Sequence, residues 1–223
     1  IKKAAEYLKS HREIKEVLLT GGDLMTLSDE RIDFLHSRFK SAREDIIYRL
    51  CTRALVSDPD RFTPEFFGVL EKNSHHAPFF LMTQFNHALE ITDKAIAAIS
   101  GFVRLGIPMM NQCVLLKGVN DTVSDQVELA NKLMYNRIKP YYLFQGDLVR
   151  GTAHLRVPLS KGLELEKEMR KQLSGLSMPQ YTIDLPNGGG KVILTENHIV
   201  SGNGSRWIFS TPEGEERIYP EDI

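Results

Sequence analysis

Five short apolar runs recur about every 30 residues through the first two thirds of the chain, and amphipathic stretches separate them. The runs cover residues 16–20, 46–52, 78–83, 108–116 and 138–144. That rhythm is the spacing of βα units in a parallel sheet, because each crossover needs a helix to return the chain to the same edge. Helix signals fall where the rhythm requires them. Ser28 precedes Asp29 and Glu30, an N-cap followed by acids, and Thr63-Pro64 places proline at a first helical position. Residues 92–100, 124–135 and 161–173 are further helical stretches, and a helical pattern is already running at Ile1. Beyond Pro179 the texture changes to short strand-like pieces at 181–184, 191–194, 198–200 and 206–210, joined by Gly, Asn and Pro turns. The expected fold is α/β: a barrel or partial barrel over residues 1–178 with a small β-rich extension over 179–223. A doubly wound sheet is the rival.

Charge and composition narrow the partners. Lys+Arg number 28 and Asp+Glu 29, a formal charge of −1, so the basic footprint of a nucleic-acid binder is missing. No run approaches the roughly 18 apolar residues of a membrane helix. The two cysteines, Cys51 and Cys113, lie in different apolar runs, make no metal or redox motif, and suit a reducing cytosol. His75-His76 has no third ligand at metal spacing and is read as a solvated loop, so no metal is assigned. The start at Ile1, inside a helical pattern, reads as a piece of a longer protein.

In either α/β architecture ligands sit at the carboxyl ends of the strands, which directs attention to the residues after each run. These are Gly21-Gly22-Asp23, Thr52-Arg53, Phe85-Asn86-His87, Asn111-Gln112 and Gln145-Gly146-Asp147. In Thr20-Gly21-Gly22-Asp23 the glycines let backbone N–H groups approach a ligand, and the aspartate can hold an ammonium. Taken alone, a tight turn with a capping Asp explains it better. The segment from Asp184 to Lys191, Asp-Leu-Pro-Asn-Gly-Gly-Gly-Lys, presents one amine after three glycines. It is no phosphate-binding P-loop, since Leu185 stands where that motif needs Gly and Val192 where it needs Ser or Thr. A pocketed lysine forming a Schiff base with an aldehyde cofactor is the functional reading. A hairpin tip with a solvated lysine is the plainer one.

Taken together and in order, these segments carry a resemblance. Thr20–Asp23, Arg49-Leu50-Cys51-Thr52-Arg53, Phe85-Asn86-His87, the string Asn111-Gln-Cys-Val-Leu-Leu-Lys-Gly-Val-Asn-Asp121, Gly146-Asp147-Leu148 with Gly151 and His154, and the lysine loop resemble the lysine 2,3-aminomutase family. The resemblance implies a partial (β/α) barrel of the radical S-adenosylmethionine type. It implies a 4Fe-4S cluster, S-adenosylmethionine and pyridoxal 5'-phosphate, and migration of the 2-amino group of L-lysine to carbon 3. By matching position it implies that Lys191 carries pyridoxal phosphate and that Asp147 and Asp184 receive the distal ammonium of the substrate. Gly21, Gly22 and Asp23 match the motif for the methionyl end of S-adenosylmethionine. Gln112, with its neighbour Asn111, matches a cofactor-facing position. A cytoplasmic homo-oligomer is implied by analogy with the family.

The chain also departs from the family pattern. The three-cysteine CxxxCxxC signature is absent, and in the family it lies upstream of the first strand seen here, as do basic residues for phosphate and carboxylate groups. Gln84 stands where His is usual, Ala88 and Ala54 where Pro is usual, Leu155 where Phe is usual, and Asn187 replaces a loop glycine. The alternatives are a related aminomutase acting on arginine or another amino acid, and a folded but catalytically incomplete scaffold.

Overall fold

A computed structural model describes residues 1–74, 78–195, 197–202, 206–211 and 213–220. The His75-His76 pair lies outside these residues. In chain order the elements are α1 (Lys2–Ser10), β1 (Glu16–Leu19), α2 (Asp29–Ala42), β2 (Ile47–Thr52), α3 (Ala54–Ser57), α4 (Pro64–Ser74), β3 (Phe79–Thr83), α5 (Asp93–Arg104), β4 (Met109–Val114), α6 (Val123–Tyr135), β5 (Ile138–Phe144), α7 (Leu159–Gln172), β6 (Gln180–Leu185), β7 (Gly190–Ile193), β8 (Ile199–Gly202), β9 (Arg206–Ser210) and β10 (Glu216–Pro220). Each of the five apolar runs is a strand.

The larger sheet has the order β1-β2-β3-β4-β5-β6-β7. Pairing is parallel from β1 through β4 and again between β5 and β6, and β7 closes the series antiparallel to β6. Strands that follow one another in chain order exclude the doubly wound rival, whose order reverses at a switch point. Single winding is the topology of the partial (β/α) barrel. Strands β8, β9 and β10 form a separate antiparallel sheet. No helix among the described residues is long and apolar enough to cross a membrane.

Contacts divide the chain into two compact units, Ile1–Cys113 with Asn131–Tyr141, and Val114–Ala130 with Tyr142–Ile223. In the first unit β2 alternates, with Tyr48, Leu50 and Thr52 buried and Ile47, Arg49 and Cys51 half-buried on the other face. Leu55, Phe66, Leu81, Phe85 and Phe102 are fully buried and form its core. Phe62, Phe66 and Phe67 meet Phe102 edge to face, the arrangement ring quadrupoles favour. Thr92 caps α5 by accepting from the Ala95 N–H, and Thr63 Oγ1 does the same for Phe66 in α4. Ser28 holds the N-cap position of α2 without a capping bond to the backbone. Its hydroxyl instead donates to Glu30 and lowers the pKa of that carboxylate.

Helix α1 is tied down by Arg43, whose side chain is buried. Nη1 donates to the carbonyls of His11 and Ile14 at 2.8 Å each, and Nε and Nη2 hold the two oxygens of Asp45 at 2.8 and 2.7 Å. The Arg43 guanidinium keeps the Asp45 carboxyl down at about 2. A depressed carboxylate stabilises the fold above its unfolded pKa of about 3.9, and that contribution disappears as pH falls through about 2. Arg43→Met should therefore speed amide exchange across residues 11–15 by at least about tenfold and remove this acid-sensitive contribution. Unchanged exchange there would show that α1 is held by something else.

In the second unit the first strand after Pro179 behaves differently from the tail expected. It does not open a separate hairpin layer, because β6 pairs in parallel with β5, Tyr142 opposite Gln180 and Phe144 opposite Thr182. The reason lies in its two consecutive buried residues, Tyr181 and Thr182, which need cover on both faces. The Gly118-Val119-Asn120-Asp121 part of the long motif is structural. Asn120, fully buried, accepts from Leu116 N at 2.7 Å and donates to Val114 O at 2.9 Å, while Gln126 donates to Asn120 O.

Candidate active site

The strand ends of the first unit are stitched together by two side chains. Asp23 follows β1. Its Oδ1 accepts from Met25 N at 2.9 Å and Thr52 Oγ1 at 2.7 Å, and its Oδ2 accepts from Arg53 N at 2.7 Å. One carboxylate thus caps its own turn and fastens the end of β1 to the end of β2. Gly21 has φ +61°, a conformation that favours glycine, and a Cβ on either Gly21 or Gly22 would meet nothing within 4 Å. The loop's outer face is therefore open. Asn111, 1% exposed, accepts from Phe85 N at 2.7 Å and donates to Phe85 O at 2.9 Å. Its amide is committed to fixing the loop after β3. Arg53 reaches the same loop, donating to Gln84 O at 3.2 Å and to Glu90 Oε1 at 2.8 Å, and Glu90 Oε2 accepts from Asn86 N at 2.6 Å.

Alternation along β4 sends Gln112 to the face opposite Asn111, where it is half-buried. Cys51, Met82 and Met110 share that face by register. Burial pushes the Cys51 thiol above its ordinary range. Among the described residues no group of three or more His, Cys, Asp or Glu side chains could hold a metal ion.

The second unit brings the lysine loop onto an acid. Strands β6 and β7 form a hairpin in which Asp184 and Lys191 are direct cross-strand partners. Lys191 Nζ lies 2.8 and 2.9 Å from the two Asp184 carboxylate oxygens. It also lies 4.0 Å from the Phe144 ring centroid and 5.2 Å from that of Tyr142. The hairpin tip turns through left-handed residues, Asn187 at φ +57° and Gly188 at +77°. Asn is the side-chain-bearing residue that best tolerates that region, so its replacement of a loop glycine costs the turn little. The plainer expectation was right that this is a hairpin. It did not foresee that the lysine would rest on a carboxylate and two ring faces.

Asp147 follows β5 in an exposed loop, and its carboxylate is in no ion pair among the described residues. Its backbone carbonyl accepts a long 3.5 Å contact from Arg156 Nη2. The structure thus brings Lys191 and Asp184 together and does not join Asp147 to them. Four residues of this unit have contacts that sequence reasoning did not assign. Tyr142 and Phe144 were visible as an i, i+2 aromatic pair at a strand's carboxyl end, a spacing that puts both on one face. Gln145 stood out only as a strand-end residue, and Tyr181 gave no local signal. The buried Tyr181 hydroxyl donates to Gln145 Oε1, and Gln145 Nε2 donates to Val157 O at 2.7 Å, which pins both ends of the 146–157 loop to β6.

Comparison with known proteins agrees with this architecture. A family model described as Lysine-2,3-aminomutase matches residues 166–222. The L-lysine 2,3-aminomutase of Clostridium subterminale is 38% identical over 100% of this chain and 53% of its own length. The putative L-lysine 2,3-aminomutase of Aquifex aeolicus is 40% identical, covering 94% of this chain and 56% of the relative. The glutamate 2,3-aminomutase of Clostridioides difficile is 36% identical over 96% of this chain and 50% of its own length. The chain spans about half the length of these relatives. A solved structure, native anSMEcpe with bound AdoMet and Kp18Cys peptide, superposes with a TM-score of 0.57 over 77% of this chain and 49% of that one; at 11% identity the likeness is one of fold. The fold is the partial (β/α) barrel expected. With this topology, and with such identity along nearly its whole length, the chain is similar to lysine 2,3-aminomutases over about half of their length.

Proposed function

We propose that the full-length protein is a radical aminomutase that moves the 2-amino group of L-lysine to carbon 3, with S-adenosylmethionine, a 4Fe-4S cluster and pyridoxal 5'-phosphate as cofactors. The observation that carries the reading is the Lys191–Asp184 pair on an aromatic face. Lys191 is the residue that would hold pyridoxal phosphate: it follows the glycine turn directly, its side chain is about a third exposed, and its amine has a carboxylate at 2.8 Å. When bound, pyridoxal phosphate supplies an electrophilic carbon for an amine and a conjugated π-system beside it. Asp184 is the nearest base to Nζ and can take the proton an ammonium must lose before it acts as a nucleophile. The same carboxylate can hold the substrate's distal ammonium, and Asp147 is the second acid that the family match proposes for it.

For S-adenosylmethionine, the open face at Gly21-Gly22 and the half-buried amide of Gln112 are the contacts proposed, with Asp23 and Asn111 holding those loops in shape. The two cysteines of this chain do not fit a cluster: they lie on different strands, Cys113 is buried, and among the described residues no group of three or more His, Cys, Asp or Glu side chains could hold a metal ion. The division at residue 178, the homo-oligomer and the cytoplasmic location expected from the resemblance belong to this same proposal.

Identity does not choose between lysine and glutamate substrates, since relatives of both names match similarly. Electrostatics does. A distal carboxylate beside Asp184 would place like charges together, whereas an ammonium is compensated. The decisive assay incubates the full-length protein anaerobically with L-lysine, pyridoxal phosphate, S-adenosylmethionine and a reductant, and measures β-lysine by chromatography. Turnover of L-arginine or L-glutamate in place of L-lysine would overturn the substrate assignment, and no turnover of any amino acid would favour the scaffold. In the same assay Asp184→Asn should raise KM for L-lysine at least about tenfold while pyridoxal phosphate uptake persists.

A further inference from the structure

Lys191 is bound in this structure as a lysine side chain would be bound by a lysine-binding site. Its ammonium receives both oxygens of Asp184, at 2.8 and 2.9 Å, and lies over the faces of Phe144 at 4.0 Å and Tyr142 at 5.2 Å. A carboxylate with two ring faces is a complete receptor for a primary ammonium, because both parts attract a cation and both rings lie within the roughly 6 Å reach of the cation–π interaction. The arrangement comes from topology. Tyr142 and Phe144 share one face of β5, β6 pairs beside β5, and β7 carries Lys191 directly opposite Asp184. Nothing in this cradle distinguishes the Nζ of Lys191 from the Nζ of free L-lysine, which has the same four-carbon stem and the same charge.

We propose that Phe144 and Tyr142 complete, as specificity determinants, the distal-ammonium site that the functional reading puts at Asp184, and that Lys191 itself fills this site until its amine is bonded elsewhere. The inference rests on the functional reading above and adds a competition to it. Resident and substrate ammonium cannot both sit on Asp184, so L-lysine gains access to the acid only once Lys191 is drawn away. Pyridoxal phosphate, by engaging the Lys191 amine, removes the resident cation and unmasks the site for the chemically identical group of the substrate. The order of loading, cofactor before amino acid, then follows from one ion pair. The pair is partly exposed, with Lys191 36% and Asp184 47% accessible, so solvent screening keeps the competition moderate.

The test is binding, not turnover. Calorimetry measures the affinity of L-lysine for the full-length protein stripped of pyridoxal phosphate, in the natural sequence and in Lys191→Met, Lys191→Arg and the double variant Lys191→Met/Phe144→Leu. Lys191→Met should bind L-lysine roughly five- to tenfold more tightly, because the resident cation is gone while the stem's bulk remains. Lys191→Arg keeps a cation and should stay as weak as the natural protein. Norleucine, which lacks the distal ammonium, should bind both proteins alike. Adding Phe144→Leu should lose at least about threefold of the gain. Equal L-lysine affinity in Lys191→Met and the natural protein would overturn the competition. So would a gain shared by norleucine, which would mark simple opening of space. Either result is separate from failure of the functional reading, which is scored by β-lysine formation in the loaded protein.

Discussion

Replacing Lys191 with alanine in the full-length protein should abolish borohydride-stable attachment of pyridoxal phosphate and the visible absorption that accompanies it. The expected loss is complete because the bond needs an amine at one place, and Lys191 is the amine the hairpin presents there. Glycines at 188–190 let the tip curl, with Gly190 at φ +81°, and β7 pairing then fixes Lys191 opposite Asp184. In the natural protein, peptide mapping after reduction should find the label on the peptide containing residue 191. Label on another lysine with that peptide unmodified would remove Lys191 from the role. Lys191→Arg is the informative companion. It retains the ion pair with Asp184 and should fold normally, yet a guanidinium stays protonated at any working pH and should not be labelled.

Gly162→Ala should destabilise the protein by roughly 2 kcal/mol, although the substitution sits inside a helix where alanine is ordinarily preferred. Gly162 is buried in α7, and a Cβ there would stand 1.9 Å from the Tyr181 hydroxyl oxygen and 2.6 Å from its ring carbon. Tyr181 cannot step aside. It is 1% exposed, and its hydroxyl is bonded to Gln145, itself buried and bonded to Val157. Alanine's propensity gain of about 1 kcal/mol is outweighed by overpacking and by a buried hydrogen bond broken at both ends. For a chain of this size the expected drop in Tm is about 4–8 °C. Tyr181→Phe in the Gly162→Ala background removes the atom that clashes hardest and should recover about 1 kcal/mol, measured as a double-mutant cycle. An unchanged or raised Tm for Gly162→Ala would mean that α7 and β6 are not packed as described.

How far the sequence reaches can be judged from particular elements. The strands β1 to β5 coincided with the five apolar runs, since a strand covered by helices on one face and crossed by short connections leaves a compact apolar mark. Helix starts at Thr63-Pro64 and Thr92 were legible because capping is local chemistry, readable from two or three adjacent residues. The strand β10, Glu216–Pro220, left no such mark: its Ile218 and Tyr219 are exposed, and with no buried face there is no clear alternation to read. Gly21-Gly22-Asp23 was legible as a special turn. Its wider job was not, because Thr52 and Arg53, which Asp23 grips, lie about 30 residues away.

By itself, then, the sequence determined the βα rhythm, the single amine behind three glycines, the family resemblance and the absence of a cluster motif in this chain, all of them properties of adjacent residues or of regular spacing. Tertiary structure alone decided the partners. It set Lys191 on Asp184 by the register of a hairpin, placed the Lys191 ammonium over the ring faces of Phe144 and Tyr142 by the order of β5, β6 and β7, and turned Asn111 and Gln112 to opposite faces. It also left Asp147 out of that cluster, on an exposed loop. The physical reason is range. Periodicity and capping are written over a few residues, whereas a charge's partner is chosen by pairing and register between segments the sequence keeps apart.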